Sequence, residues 1–250
     1  MSKTIFITGA TSGIGQATAR ILGKQGHNLI ICGRRAERLL KLKSELDTDT
    51  KVYTLNFDVR DNAEVVKAIN SLPEDLEIDV LINNAGNAHG LAPIQDGDIH
   101  DWDAMIDINV KGLLYVTKAL LPRIEKSKKA HIINIGSTAG REVYPKGNVY
   151  NASKFAVHAL SEAMRIDLMD KKIKVSQIAP GAVNTEFSKV RFKGDQEKAD
   201  KVYEGFDALS AKDIAELIEF MISRPRHVNL ADVLILPTAQ VKAGMIHKES

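Results

Sequence analysis

Cysteine is nearly absent, with one in 250 residues. A disulfide framework is therefore excluded, and a reducing, cytoplasmic setting is expected. That one residue, Cys32, sits in a strand-like run and reads as a small buried hydrophobe. An excess of one charge is missing too. The 34 Lys and Arg against 32 Asp and Glu leave no basic surplus for nucleic acid or an anionic membrane. No apolar run approaches the ~20 residues a membrane helix needs. The first strand pattern begins at Lys3, which is expected to leave no room for a leader peptide. Linkers, internal repeats and low-complexity tracts are also lacking, so one α/β domain over residues 1–250 is expected, with no metal site.

What is present is alternation. Strands are predicted at Thr4–Thr8, Asn28–Cys32, Val52–Asn56, Val80–Asn83, His131–Ile135, Val175–Ile178 and Val233–Leu236. Most are nearly continuous Ile, Val and Leu, as in parallel strands buried on both faces. Helices are predicted near Gly15–Lys24, Ala36–Leu46, Asn62–Leu72, Trp102–Ser127, Val149–Asp170 and Ala211–Ser223. Such alternation implies right-handed crossovers and a Rossmann-like, doubly wound, parallel seven-stranded sheet with helices on both faces. Ala88–Asp101 reads as a polar loop. Residues 184–206 carry mixed charge after the sixth strand, are too long for a simple turn, and are expected to form a substrate lid.

Directly after the first strand comes Thr8-Gly9-Ala10-Thr11-Ser12-Gly13-Ile14-Gly15. Gly9 would turn the chain off the strand, Gly13 would let backbone approach a pyrophosphate, and Gly15 would let the helix pack close to the sheet. The helix N-terminus offers N–H groups to phosphate, and Thr11 and Ser12 add hydroxyl donors. The spacing differs from the usual dinucleotide fingerprint, and the glycines could equally serve a tight turn. The second strand ends Cys32-Gly33-Arg34-Arg35. An NAD site places an acid there for the ribose 2′-OH. Two guanidinium groups suit a 2′-phosphate instead, so NADP is the expected cofactor.

Ser137 follows the fifth strand, and Tyr150 and Lys154 lie four apart at the start of a long helix, on one face. A free tyrosine has a pKa of ~10. A nearby ammonium favours its anion, so Tyr150 could exchange a proton with an alcohol while Ser137 holds the same oxygen. An isolated pair of this kind is as readily a solvated helix face. The match gains meaning from the glycine turn and Ser137.

In order, Thr8-Gly9, Gly13-Ile14-Gly15, Asp58-Val59, Asn83-Asn84-Ala85-Gly86, Asn109, Ser137, Tyr150 with Lys154, and Pro180-Gly181 resemble the short-chain dehydrogenase/reductase family over essentially the whole chain. The resemblance implies that Asp58 bonds the adenine with Val59 beside it, and that Asn84, Ala85 and Gly86 line the adenosine side. It also implies that Asn109 interrupts its helix and joins a proton relay through Lys154. Lys154 would grip the nicotinamide ribose, and Pro180, Gly181, Val183 and Thr185 would lie along the nicotinamide. Asn83, Asn84 and Asn109 could also be purely structural amides.

Residues 101–107, 131–140 and 185–195 are similar to NADP-dependent 3-hydroxy acid dehydrogenases, which implies serine, L-allo-threonine or a related acid as substrate and a homotetramer. Arg141-Glu142 and Tyr144-Pro145-Lys146 depart from that pattern. A substrate carboxylate needs a cation; Arg191 or Lys193 in the lid could supply it, with Arg141 and Lys146 as rivals, or the lid's charges could simply solvate the lid. The wide apolar arc of the helix from Val149 is consistent with a partner subunit. Two other functions stand beside this one: a broad NADPH-dependent carbonyl reductase, and a non-catalytic NADP-binding regulator, which would be expected to lack Tyr150 or Lys154.

Overall fold

A strand of unbroken Ile, Val and Leu has no face to turn to water and must lie between two layers. A computed structural model describes residues 2–47 and 50–249. Its elements run β1 (Thr4–Ile7), α1 (Gly13–Lys24), β2 (Asn28–Gly33), α2 (Ala36–Leu46), β3 (Val52–Asn56), α3 (Asn62–Asn70) and β4 (Val80–Asn83). Then come α4 (Ile99–Ile106), α5 (Leu113–Ile124), β5 (His131–Ile135), α6 (Asn148–Asp167), β6 (Lys174–Pro180), β7 (Val183–Asn184), α7 (Glu186–Arg191) and α8 (Gln196–Lys201). The chain ends with β8 (Leu209–Ser210), α9 (Ala211–Ser223), β9 (Asp232–Ile235) and the hairpin β10 (Gln240–Lys242) and β11 (Met245–Ile246).

The central sheet has seven strands in the order β3-β2-β1-β4-β5-β6-β9, all paired in parallel. Successive side chains sort to opposite faces. Ile5, Ile7, Leu29 and Ile31 meet Leu22 of α1, Leu39 of α2 and Ile214 and Ile218 of α9. Phe6, Ile30, Cys32 and Leu81 meet Val65 and Ile69 of α3 and Val116 and Leu120 of α5. Full burial of each such side chain contributes about 1.5–3 kcal/mol before entropy is counted. From β1 the order runs outward to β3 on one side and, through β4, to β9 on the other. The crevice at the carboxyl ends of β1 and β4 is thus the switch point where open α/β sheets bind ligands.

Two predicted segments differ. The helix expected over Trp102–Ser127 is broken. Asp98 Oδ1 accepts from His100 N at 2.9 Å, so α4 starts before Trp102. Residues Asp107–Gly112 then widen into a π-helical turn, and α5 follows. Apolar spacing does not register one extra residue in a turn. The stretch 184–206 is not a simple loop. Thr185 caps α7 by accepting from Phe187 N at 3.2 Å, and Asp195 caps α8 by accepting from Lys198 N at 3.1 Å. Between them the chain reverses at Lys193 (φ +53°) and Gly194 (φ +94°). The helices are too short and polar for apolar periodicity to reveal them.

Candidate active site

The cleft opens where β1 and β4 end. Thr8 Oγ1 accepts from the backbone N–H groups of Asn84 (2.9 Å) and Ala85 (2.8 Å), which ties the two strand ends together. Gly9 then turns with φ +66°; a Cβ there would lie 2.9 Å from Asn84 Nδ2. A Cβ on Gly15 would lie 2.5 Å from Gly9 O. Neither position accepts a side chain without displacing backbone or Asn84. α1 begins at Gly13, and its N-cap Ser12 makes no side-chain capping bond. The first N–H groups of α1 therefore remain available to an anion. The Asn84 side chain, expected on the adenosine side, donates to Thr8 O at 2.9 Å and braces the turn. Asn83 is buried and donates to Asn134 Oδ1 and Thr117 Oγ1, both at 2.9 Å, across the strands.

The cleft has a volume of about 540 Å³. It runs from Arg34, Arg35, Asp58 and Val59, over Gly9, Thr11, Ser12, Gly13 and Ile14, past Asn84, Ala85 and Gly86, to Ser137, Tyr150 and Lys154, with Pro180, Gly181, Val183 and Thr185 along one wall. Gly15, Asn109 and Arg191 lie outside this lining, Gly15 behind the turn and Asn109 beneath Gly86. The shape and the free helix end suit an elongated ligand with phosphates in its middle.

At the basic end the two arginines differ. The Arg34 side chain is 59% exposed, and its nearest carboxylate is Asp58 at 3.7 Å. Arg35 is held from several sides: Nε and Nη2 donate to Thr11 Oγ1 (3.1 and 2.9 Å), Nη2 to Ser12 Oγ (2.7 Å), and Nη1 to Glu186 (2.9 Å). Arg38, which sequence reasoning missed, donates to the same Glu186 carboxylate at 2.7 Å. A signal for it existed, since Arg38 lies one helical turn from Arg34 and Arg35. Burial alone would raise the Glu186 pKa, but hydrogen bonds from Arg35 and Arg38 outweigh it and hold the carboxyl below its usual range. Asp58 is likewise lowered: burial opposes, and the Arg60 guanidinium, donating at 2.7 and 3.0 Å, prevails.

At the other end, α6 brings Tyr150 and Lys154 against the end of β5. Gly140 permits this, because a Cβ there would lie 2.4 Å from Lys154 O. Ser137 Oγ accepts from Ala139 N at 3.1 Å. Lys154 Nζ donates to Ile135 O at 2.9 Å and sits 6.0 Å from the Tyr150 ring centroid. Burial pushes Lys154 down to about 8 and Tyr150 up to about 12. Tyr144 adds to the rise of Tyr150, while a hydrogen bond with Ser137 and the charge of Arg191 pull it back. Asn109, in the π-helical turn, is buried. Its Oδ1 accepts from Asn87 N (2.8 Å), and its Nδ2 donates to Asn87 O and Ser153 Oγ (both 2.9 Å). A Cβ on Gly86 would lie 3.1 Å from Asn109 Oδ1 and 3.6 Å from Lys154 Nζ, so Gly86 leaves room for both.

Beside Tyr150 stands Arg191. Its guanidinium lies 5.1 Å from the ring centroid of Tyr150, 5.6 Å from that of Tyr144 and 5.8 Å from that of Phe187. No carboxylate among the described residues pairs with it. Of its rivals, Lys193 pairs with Asp101 at 3.0 Å, Arg141 pairs with Asp232 at 2.5 Å, and Lys146 is exposed. In the sequence Tyr144 stands out only as a departure from the resembled pattern, and Phe187 only as part of the similar stretch 185–195, so their grouping around Arg191 is new from the structure. Among the described residues there is no group of three or more His, Cys, Asp or Glu that could hold a metal, and no helix long and apolar enough to cross a membrane.

The family described as short chain dehydrogenase matches residues 3–196. The chain is 46% identical over 247 residues to the NADP-dependent 3-hydroxy acid dehydrogenase YdfG of Salmonella typhi, covering 98% of this chain and 99% of that protein. It is 45% identical over 242 residues to sulfoacetaldehyde reductase 2 of Chromohalobacter salexigens, covering 96% of each. Among solved structures, the closed form of a serine dehydrogenase complexed with NADP+ superposes with a TM-score of 0.91 at 43% identity, over 98% of this chain and 100% of that one.

Proposed function

The chain belongs to the short chain dehydrogenase family, and from that premise we propose that it is an NADP-dependent oxidoreductase that interconverts the alcohol and carbonyl forms of a small 3-hydroxy acid such as serine, L-allo-threonine or 3-hydroxypropanoate. The observation that carries this reading is one continuous cleft with an exposed guanidinium, Arg34, at one end and the buried Tyr150 and Lys154 at the other. The glycine floor and the uncapped start of α1 suit the cofactor's pyrophosphate. Arg34, with Arg35 behind it, suits the 2′-phosphate. Asp58 and Val59 would flank the adenine, Ala85 and Gly86 the ribose, and Pro180, Gly181, Val183 and Thr185 the nicotinamide, all of them residues that line the cleft. When bound, the nicotinamide supplies or accepts the hydride.

The chain's own residues handle the proton and the charge. Tyr150, with its pKa pushed up to about 12, carries its proton at neutral pH. It is ready to protonate a forming alkoxide, whereas oxidation requires it to ionise first. Ser137 donates to the same oxygen as charge develops. Lys154, whose Nζ donates to Ile135 O, would hold the cofactor ribose beside Tyr150, and Asn109 fixes the backbone at Asn87 below it. Arg191 receives the substrate carboxylate. Residues 184–206 act as the lid over this end, fastened by Glu186 to Arg35 and Arg38.

A homotetramer in the cytoplasm completes the reading. Its supports are the exposed Phe155 and Ile166 of α6 and Leu114 of α5, and the single buried cysteine. The test is an activity panel: NADP+ with 3-hydroxy acids, and NADPH with simple ketones. Preference for the acids is expected. Preference for uncharged ketones would replace this reading with a broad carbonyl reductase, and inactivity toward both with a regulator.

A further inference from the structure

Arg191 is held where it is by aromatic rings and not by a counter-charge. Three rings surround its guanidinium. Its backbone is fixed as well, since Gly90 N donates to Arg191 O at 2.9 Å. Arg191 Nη2 donates to the Tyr144 hydroxyl, while its buried Nε has no partner. A partly buried cation with an unused donor is costly unless a ligand satisfies it.

Tyr144 is itself built into place. A Cβ on Gly147 would lie 2.5 and 2.6 Å from Tyr144 Cε2 and Cζ, so the ring packs directly on the glycine. Gly147 N and Asn151 Nδ2 both donate to Tyr144 O, at 3.2 and 3.3 Å. A Cβ on Gly244 would lie 3.1 Å from Tyr144 Cβ on the other side. The ring therefore cannot follow Arg191; Arg191 settles against the ring. Tyr144 also stands six residues before Tyr150, in the turn that leads into α6. The group that orients the cation and the group that exchanges the proton thus belong to one rigid unit.

We infer that Tyr144 is a positioning residue, whose hydroxyl and ring hold the Arg191 guanidinium beside Tyr150 in the orientation that receives a substrate carboxylate. This rests on the reading of Arg191 as the carboxylate clamp. A 3-hydroxy acid carries its carboxyl carbon two bonds from the reacting carbon, so its two ends must meet Tyr150 and Arg191 together. A guanidinium free to rotate would keep its charge but lose that register.

The test compares kcat and KM for 3-hydroxybutanoate and its methyl ester with NADP+. Tyr144→Phe keeps the ring and removes the hydroxyl. The preference for acid over ester is expected to fall about tenfold, through KM for the acid. On an Arg191→Ala background the same substitution should cost almost nothing more, because the two act in series. An equal cost for acid and ester, or an undiminished cost on the Arg191→Ala background, overturns the inference. If Arg191→Ala itself leaves the acid preference intact, the clamp reading falls, and this inference with it. If Arg191→Ala abolishes the preference while Tyr144→Phe leaves it intact, only the positioning role falls. Arg191→Lys gives a reading that leaves Tyr144 in place. It keeps the charge without the planar fork, and retention of the full acid preference would show that orientation is not needed.

Discussion

Gly9, on the floor of the cleft, and Arg191, beside Tyr150 at its substrate end, represent two ways of making a binding site. At the phosphate end, recognition is backbone. Glycines at two tight positions and the uncapped start of α1 leave N–H groups facing the cleft, and Thr8 ties the turn to the next strand. At the substrate end, recognition is side chain. Tyr144 comes from the turn before α6, Phe187 and Arg191 from α7, and the Gly90 loop pins the last of them. The first design tolerates almost no change but serves any ligand with the same phosphates. The second can be altered one ring or one charge at a time, which is how a family keeps its cofactor and changes its substrate.

The chemistry at the junction gives the largest expected effect. Tyr150→Phe removes the proton exchanged in either direction, and kcat should fall by roughly 10²–10⁴-fold. A smaller loss would mean that another group, or water, handles the proton. Next comes the division between the arginines. Arg34→Ala should raise KM for NADPH by about tenfold or more and leave NADH nearly unaffected, since its guanidinium is open and only loosely paired. Arg35→Ala should weaken NADPH and NADH together, because Arg35 organises Thr11 and Ser12 in the phosphate turn. Identical cofactor profiles for the two variants would erase the distinction. Third, Gly15→Ala forces a methyl against Gly9 O and Asn84 Nδ2. It should cost about 1–3 kcal/mol of stability, read by thermal or urea unfolding, with affinity for both cofactors reduced. Full stability and affinity would show that the turn has more room than its geometry indicates.

The same contrast explains what was legible in the sequence. The phosphate end announces itself because its chemistry needs particular residues at fixed local spacing, from Gly9 to Gly15. The sheet does likewise, since strands such as Asn28–Gly33 and His131–Ile135 are continuous apolar runs. Ser137, Tyr150 and Lys154 become readable once the glycine turn gives them a context. The substrate end is assembled from residues far apart. Arg191 meets Tyr144 across 47 positions, and the lid's tie to the basic end, Glu186 to Arg38, spans 148. No local pattern encodes either contact. The break at Asn109 is implied by the family resemblance but invisible to apolar periodicity, because a widened helical turn leaves the apolar stripe nearly intact. α7 and α8 depend on the caps Thr185 and Asp195 and not on apolar periodicity. In the fold a hydrogen bond with Ser137 and the charge of Arg191 pull the Tyr150 hydroxyl down against burial, and Lys154 Nζ donates to Ile135 O. Which cation faces a ring depends on packing that spacing alone does not give.

Tyr150 as the proton-exchanging group is the central claim, and the pH dependence of the two directions tests it most directly. Its pKa lies above the ordinary tyrosine value, so the protonated form predominates at neutral pH. Oxidation of a 3-hydroxy acid by NADP+ should therefore accelerate by about tenfold per pH unit as the medium turns alkaline, and reduction should stay level through neutrality and decline only as Tyr150 loses its proton. Oxidation that is independent of pH across the alkaline range would contradict the assignment.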